Sequence, residues 1–86
     1  MAKYSLEIKQ SAQRELGSLD ESVFTRIDRK ILALTDDPRP PECKKLRGYK
    51  DQWRIRIGDW RVIHLIDDKA KLVTITRVAQ RREVYE

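Results

Sequence analysis

Trp53-Arg54-Ile55-Arg56-Ile57-Gly58-Asp59-Trp60-Arg61-Val62-Ile63 reads as two strands joined by a two-residue turn. Apolar and basic residues alternate on both sides of Gly58-Asp59, the period-2 pattern of a half-buried strand. Glycine at the first central position supplies the positive φ that such a hairpin needs. In that register Ile57 faces Trp60, Arg56 faces Arg61, Ile55 faces Val62 and Arg54 faces Ile63. Alternation then puts Trp53, Ile55, Ile57, Trp60 and Val62 on one face, and Arg54, Arg56 and Arg61 on the other. Like charges set directly opposite each other, as Arg56 and Arg61 are, cost stability. A fold tolerates that cost more readily where an anion binds between them, and the planar arginine fork grips phosphate oxygens at two points. An open sheet face with polar residues in water is the plainer reading. It accounts for one or two arginines more comfortably than for three.

The flanking sequence supplies what the hairpin packs against. Tyr4, Leu6 and Ile8 alternate with Ser5, Glu7 and Lys9, which predicts an opening strand. Ser11 is placed to cap a short helix reaching about Gly17, with Ala12, Leu16 and Leu19 as a sparse apolar edge. Asp20 or Ser18 caps a longer helix running to about Leu34. Val23, Phe24, Ile27, Ile31 and Leu34 form one apolar stripe at helical spacing, while Arg26, Arg29 and Lys30 fall largely off it and read as a solvated face. Asp37-Pro38-Arg39-Pro40-Pro41 ends that helix in an extended connector, too short for a domain linker. Three strands follow at about 52–57, 60–66 and 71–78. The expected fold is α+β in the order β-α-α-β-β-β. It is a four-stranded, mainly antiparallel sheet with two helices packed on one face, in a single domain over 1–86.

Composition narrows the chemistry. Hydrophobic residues make up 40% and charged residues 38% of the 86, which suits one modest core under a heavily charged surface. No apolar run approaches membrane-spanning length and the N-terminus lacks a signal-peptide core, so no membrane partner and a cytoplasmic location are expected. One cysteine, Cys43, and one histidine, His64, make neither an internal disulfide nor a zinc set, and no metal is expected. Cys43 stands beside Lys44 and Lys45, which could depress its pKa, but no second histidine or acid is patterned around it as for a nucleophile. By alternation His64 shares the face of Trp53, Ile55 and Val62, the place of a hydrogen-bonded core or core-edge residue. Charge is unevenly spread. Residues 1–42 carry seven Lys/Arg against eight Asp/Glu, a balance of −1, and residues 43–86 carry twelve against six, a balance of +6. The excess belongs to one half, as in a chain with a dedicated polyanion-binding region.

After the last strand come Arg81 and Tyr85, close enough for their side chains to swing over the sheet. A tyrosine beside arginines can stack on a base, hydrogen-bond a ribose or exchange a proton; it can equally anchor the tail by packing its ring.

Lys45-Leu46-Arg47-Gly48, the hairpin, Val78-Ala79-Gln80-Arg81 and Glu83-Val84-Tyr85 together resemble the RelE branch of the RelE/ParE toxin superfamily, and the likeness runs the length of the chain. The resemblance implies the toxin of a type II toxin–antitoxin system. Its expected partners are a cognate antitoxin, in a tight inhibitory heterocomplex, and the ribosomal A site with its mRNA. The implied reaction is attack of a ribose 2′-hydroxyl on the adjacent phosphate, with neither metal nor cofactor. Carried over by position, Arg54 and Arg56 match basic residues on the first hairpin strand. Arg61 matches the phosphate-holding arginine, Arg81 the arginine beside the leaving oxygen, and Tyr85 the tyrosine near the reacting ribose. Lys44, Lys45, Arg47, Arg77 and Arg82 are expected to contact RNA or ribosome around them. Some relatives carry lysines where this chain has Arg54 and Arg56. Arginine does not give up its proton, so the expected base is Tyr85 or a ribosomal group. Two other functions fit the same fold: a ParE-like inhibitor of DNA gyrase, and an RNA-binding module without the chemistry.

Overall fold

A computed structural model of the chain describes residues 3–46, 48 and 52–80. Strand β1 (Ser5–Ile8) leads into helices α1 (Gln10–Gly17) and α2 (Glu21–Ala33). Strands β2 (Cys43–Lys45), β3 (Gln52–Ile57), β4 (Trp60–Asp67) and β5 (Leu72–Gln80) follow. The described sheet runs β1-β5-β4-β3-β2. It has five strands, not the expected four. Cys43-Lys44-Lys45 carries no apolar alternation, and only its antiparallel pairing with Ile55, Arg54 and Trp53 makes it a strand. β1 lies parallel to β5, while the other pairs are antiparallel.

The hairpin has the register its sequence dictates, with Ile57↔Trp60, Arg56↔Arg61, Ile55↔Val62 and Arg54↔Ile63. Gly58 has φ 59° and Asp59 is not at positive φ, the pattern of a type II′ turn. Asp20 is the cap of α2, its Oδ1 accepting the Val23 N–H at 3.0 Å. Ser18 instead ends α1. α1 begins one residue before Ser11, behind Lys9, which makes no side-chain capping bond. The Ser11 hydroxyl is spent elsewhere, on the Thr76 carbonyl at 3.3 Å.

Both helices cover one face of the sheet. Ala12 and Leu16 of α1, with Ile27, Ile31 and Leu34 of the α2 segment, pack on Ile55, Ile57, Val62, Val73, Ile75 and Val78. Each of these valine, leucine and isoleucine side chains contributes about 1.5–3 kcal/mol by leaving water. Phe24, expected in the stripe, is 39% exposed. The proline connector is tied down by backbone bonds, Asp37 N–H to Ala33 and Cys43 N–H to the Pro40 carbonyl. His64, fully buried, donates from Nε2 to the Pro38 carbonyl at 2.9 Å. Burial holds its pKa below the ordinary histidine value, partly offset by that bond. No helix among the described residues is long and apolar enough to cross a membrane.

Candidate functional site

The sheet face turned away from the helices gathers the basic side chains. Cross-strand pairing sets Lys44, Arg54, Ile63 and Arg77 in one row across β2, β3, β4 and β5. Arg56, Arg61 and Ala79 form the next row, nearer the Gly58 turn. Five cations from four adjacent strands thus share a face, with strands about 4.8 Å apart. Arg54, Arg56 and Arg61 come together as the alternation requires.

Their environments differ. Arg56 is exposed, Arg54 is half-buried, and Arg61, on the middle strand, is only 3% exposed. The Arg61 Nη1 donates to the Trp60 carbonyl at 3.2 Å and lies 3.5 Å from the Gly58 carbonyl. The turn therefore fixes one edge of this guanidinium. Arg56 opposes it across the hairpin, so two permanent charges are held on neighbouring backbones. From the other side of the sheet α2 sends Arg26 to the same turn. A Cβ built on Gly58 would sit 3.0 Å from the Arg26 Nη2, so the glycine serves both for its φ and for this approach. Arg26 is exposed, as a solvated helix face predicts, but its position at the turn is not legible in the helical period.

Arg77 reaches the arginine face through an irregularity. The β4–β5 register shifts between Ile63↔Arg77 and His64↔Ile75, leaving Thr76 as an extra residue on β5. Arg77 is also paired, its Nε lying 3.4 Å from Glu15 Oε2 of α1. The sequence offers no signal for that partner, 62 positions away.

Lys45 does not join the cluster. It falls on the helix-covered face, where its Nζ lies 5.9 Å from the centroid of the Trp53 ring, and Arg39 packs on the same ring at 5.1 Å. Arg39 is further held by a two-pronged ion pair to Asp68, at 2.9 and 3.3 Å, and Asp68 accepts the Tyr4 hydroxyl at 2.6 Å. That bond to Asp68 pushes the Tyr4 pKa up, and the Arg39 bond is the main cause drawing Asp68 below its usual value. The Cys43 thiol is not activated by its lysine neighbours. Burial raises its pKa, against a smaller lowering by Arg39. An open depression of about 640 Å³ lies at the β4–β5 turn beside Leu65, Asp67, Leu72 and Thr74, the sheet end away from Gly58. Arg47, Arg81, Arg82 and Tyr85 lie outside the described residues.

With this geometry in view, the ParE toxin family of type II toxin–antitoxin systems, parDE, matches residues 6–85. The chain belongs to this family. A candidate toxin of Methanocaldococcus jannaschii, RelE1, is 26% identical over 87 residues, covering 98% of this chain and 97% of that protein. RelE in the archaeal RelE–RelB complex from Pyrococcus horikoshii superposes with a TM-score of 0.83 at 29% identity, over 95% of this chain and 99% of that one. The RelBE2 toxin–antitoxin complex of Mycobacterium tuberculosis gives 0.79 at 26% identity, over 92% and 99%. The parDE family match and these relatives together make the chain a RelE-like toxin of the RelE/ParE superfamily.

Proposed function

We propose that this toxin is a metal-independent endoribonuclease that enters the ribosomal A site and cuts mRNA there, stopping translation. The observation that carries the reading is the hairpin register, which opposes Arg56 to Arg61 and adds Arg54 on the same face. In the proposed reaction the 2′-oxygen, giving up its proton to the base, attacks the adjacent phosphorus; a 2′,3′-cyclic phosphate forms, the bond from phosphorus to the 5′-oxygen breaks, and that oxygen takes a proton from solvent. The pentavalent phosphorane carries more negative charge than the ground state, so preorganised guanidinium groups favour it over bound substrate. Arg61, fixed at one edge by turn carbonyls, suits the role of phosphate holder. At 3% exposure it must be uncovered when RNA binds. Arg54 and Arg56 supply further charge. Arg81 serves the leaving oxygen, and Tyr85, or a ribosomal group, takes the 2′ proton. Lys44 and Arg77 extend the face for RNA and ribosome, while Lys45, Arg47 and Arg82 contact RNA or ribosome beyond it. A cognate antitoxin is the second proposed partner, covering the arginine face in a tight complex; solved relatives in complex with RelB support it. The toxin is then cytoplasmic, where ribosomes are.

The test is primer extension on a translated message after expression of this chain alone. Wild type is expected to arrest growth with cuts inside codons. Arg61→Ala and Arg81→Ala are each expected to lose about two orders of magnitude of cleavage, the scale for one transition-state donor, and Tyr85→Phe is expected to be impaired. Equal cleavage by all three variants would remove the proposed site. The ParE description of the matching family favours one competing reading, inhibition of DNA gyrase. A DNA-damage response with intact mRNA would select it.

A further inference from the structure

β1 pairs with β5 only as far as Ile8↔Ile75. The chain then turns away, the Lys9 N–H bonding the Ile75 carbonyl at 2.9 Å before α1 begins. Beyond that point no described strand lies along this edge of β5, and side chains of α1 take its place. Ser11 donates to the Thr76 carbonyl at 3.3 Å. Glu15 accepts the Val78 N–H on Oε1 at 2.7 Å, and its Oε2 faces Arg77 Nε at 3.4 Å. One carboxylate thus satisfies an edge backbone donor and neutralises a guanidinium, both charge-assisted contacts.

These contacts bracket the bulge. Thr76 is the extra residue, and on its β4 side its hydroxyl donates to the Ile63 carbonyl at 3.3 Å. A one-residue change in register exchanges the faces of a strand. Without the bulge, Arg77 and Ala79 would point at the helices and Val78 would point away from them. With it, Val78 is 1% exposed in the core and Ala79 sits beside Arg61. Arg81 follows Val78 by three residues in the sequence.

We propose that Glu15 is a positioning residue for the arginine face, locking the bulged register of β5 from its open edge. Glu15 does not touch RNA; it acts through Val78 and Arg77. The proposal rests on the endonuclease reading only for its kinetic consequence.

The test compares wild type with Glu15→Ala, Glu15→Gln and Asp20→Ala, measuring Val78 amide exchange by NMR and steady-state cleavage on programmed ribosomes. Glu15→Ala is expected to speed Val78 exchange about tenfold relative to Val73. It should lower kcat about tenfold, with KM within about twofold, as for a misplaced reacting geometry. Glu15→Gln keeps an oxygen for the Val78 N–H and is expected to restore most of the protection and much of kcat. Asp20→Ala removes the α2 cap, which should lower Tm and leave kcat unchanged. Unchanged Val78 exchange in Glu15→Ala overturns the lock. Unchanged kcat, or a loss that Asp20→Ala reproduces, overturns the positioning role. If wild type fails to cut, the endonuclease reading falls and Val78 exchange alone decides the lock.

Discussion

The two faces of the β3–β4 hairpin come from the same eleven residues, yet they obey different rules. On the helix-covered face, Ile55, Ile57 and Val62 are buried against both helices, and the nearby cations are committed locally. Arg39 is held by Asp68 and Trp53, and Lys45 stacks on Trp53. On the other face, away from α1 and α2, Arg54, Arg56 and Arg61 stand close together, with Arg56 exposed opposite the buried Arg61. The first arrangement lowers the free energy of the folded chain by itself. The second sets like charges on neighbouring strands, which taken alone costs stability. A charged side chain beside its partner on the covered face serves the architecture, whereas the like charges gathered on the other face are what the proposed function uses.

That contrast can be broken by substitution on each face. Ile55→Ala leaves a cavity under the helices and is expected to cost about 2–5 kcal/mol in urea unfolding. A cost below about 1 kcal/mol would mean that the covered face is not the core. His64, buried on the same face, gives a pH signature. Its folded pKa lies below the unfolded value of 6.5, so its contribution is complete above that pH and is lost as pH falls toward the folded pKa. Wild type should therefore lose thermal stability between pH 7 and 5 relative to His64→Gln, whose amide still offers a donor to Pro38. Parallel Tm–pH curves would refute this. The smallest effect belongs to the open face. Arg56→Ala is expected to change stability by no more than about 0.5 kcal/mol, in the stabilising direction, while reducing cleavage. A clear loss of stability would make Arg56 architectural.

Strong local signals were legible. Gly58-Asp59 set the hairpin register because only glycine meets the positive φ at low cost, and the start of α2 was legible to within the choice of Ser18 or Asp20 as its cap, which the structure settles on Asp20. The helical spacing of Ile27, Ile31 and Leu34 named their core face. Weak signals misled where tertiary pairing chose the outcome. β2 exists because β3 offers it an edge, Ser11 bonds across to β5 instead of capping its own helix, and Phe24 ends half-exposed. The division of the lysines was also hidden. Lys44 and Lys45 are adjacent in sequence, but strand pairing sends the first to the arginines and the second to Trp53.

The sequence by itself determined the arginine face, because alternation in a strand and a two-residue turn are local properties that neighbouring residues impose. Only the tertiary structure decided what surrounds that face. The bulge at Thr76, the arrival of Arg77 and the grip of Glu15 on Val78 depend on residues far apart in the chain. Their energies exist only once α1 and the sheet are packed together, and no local pattern records them.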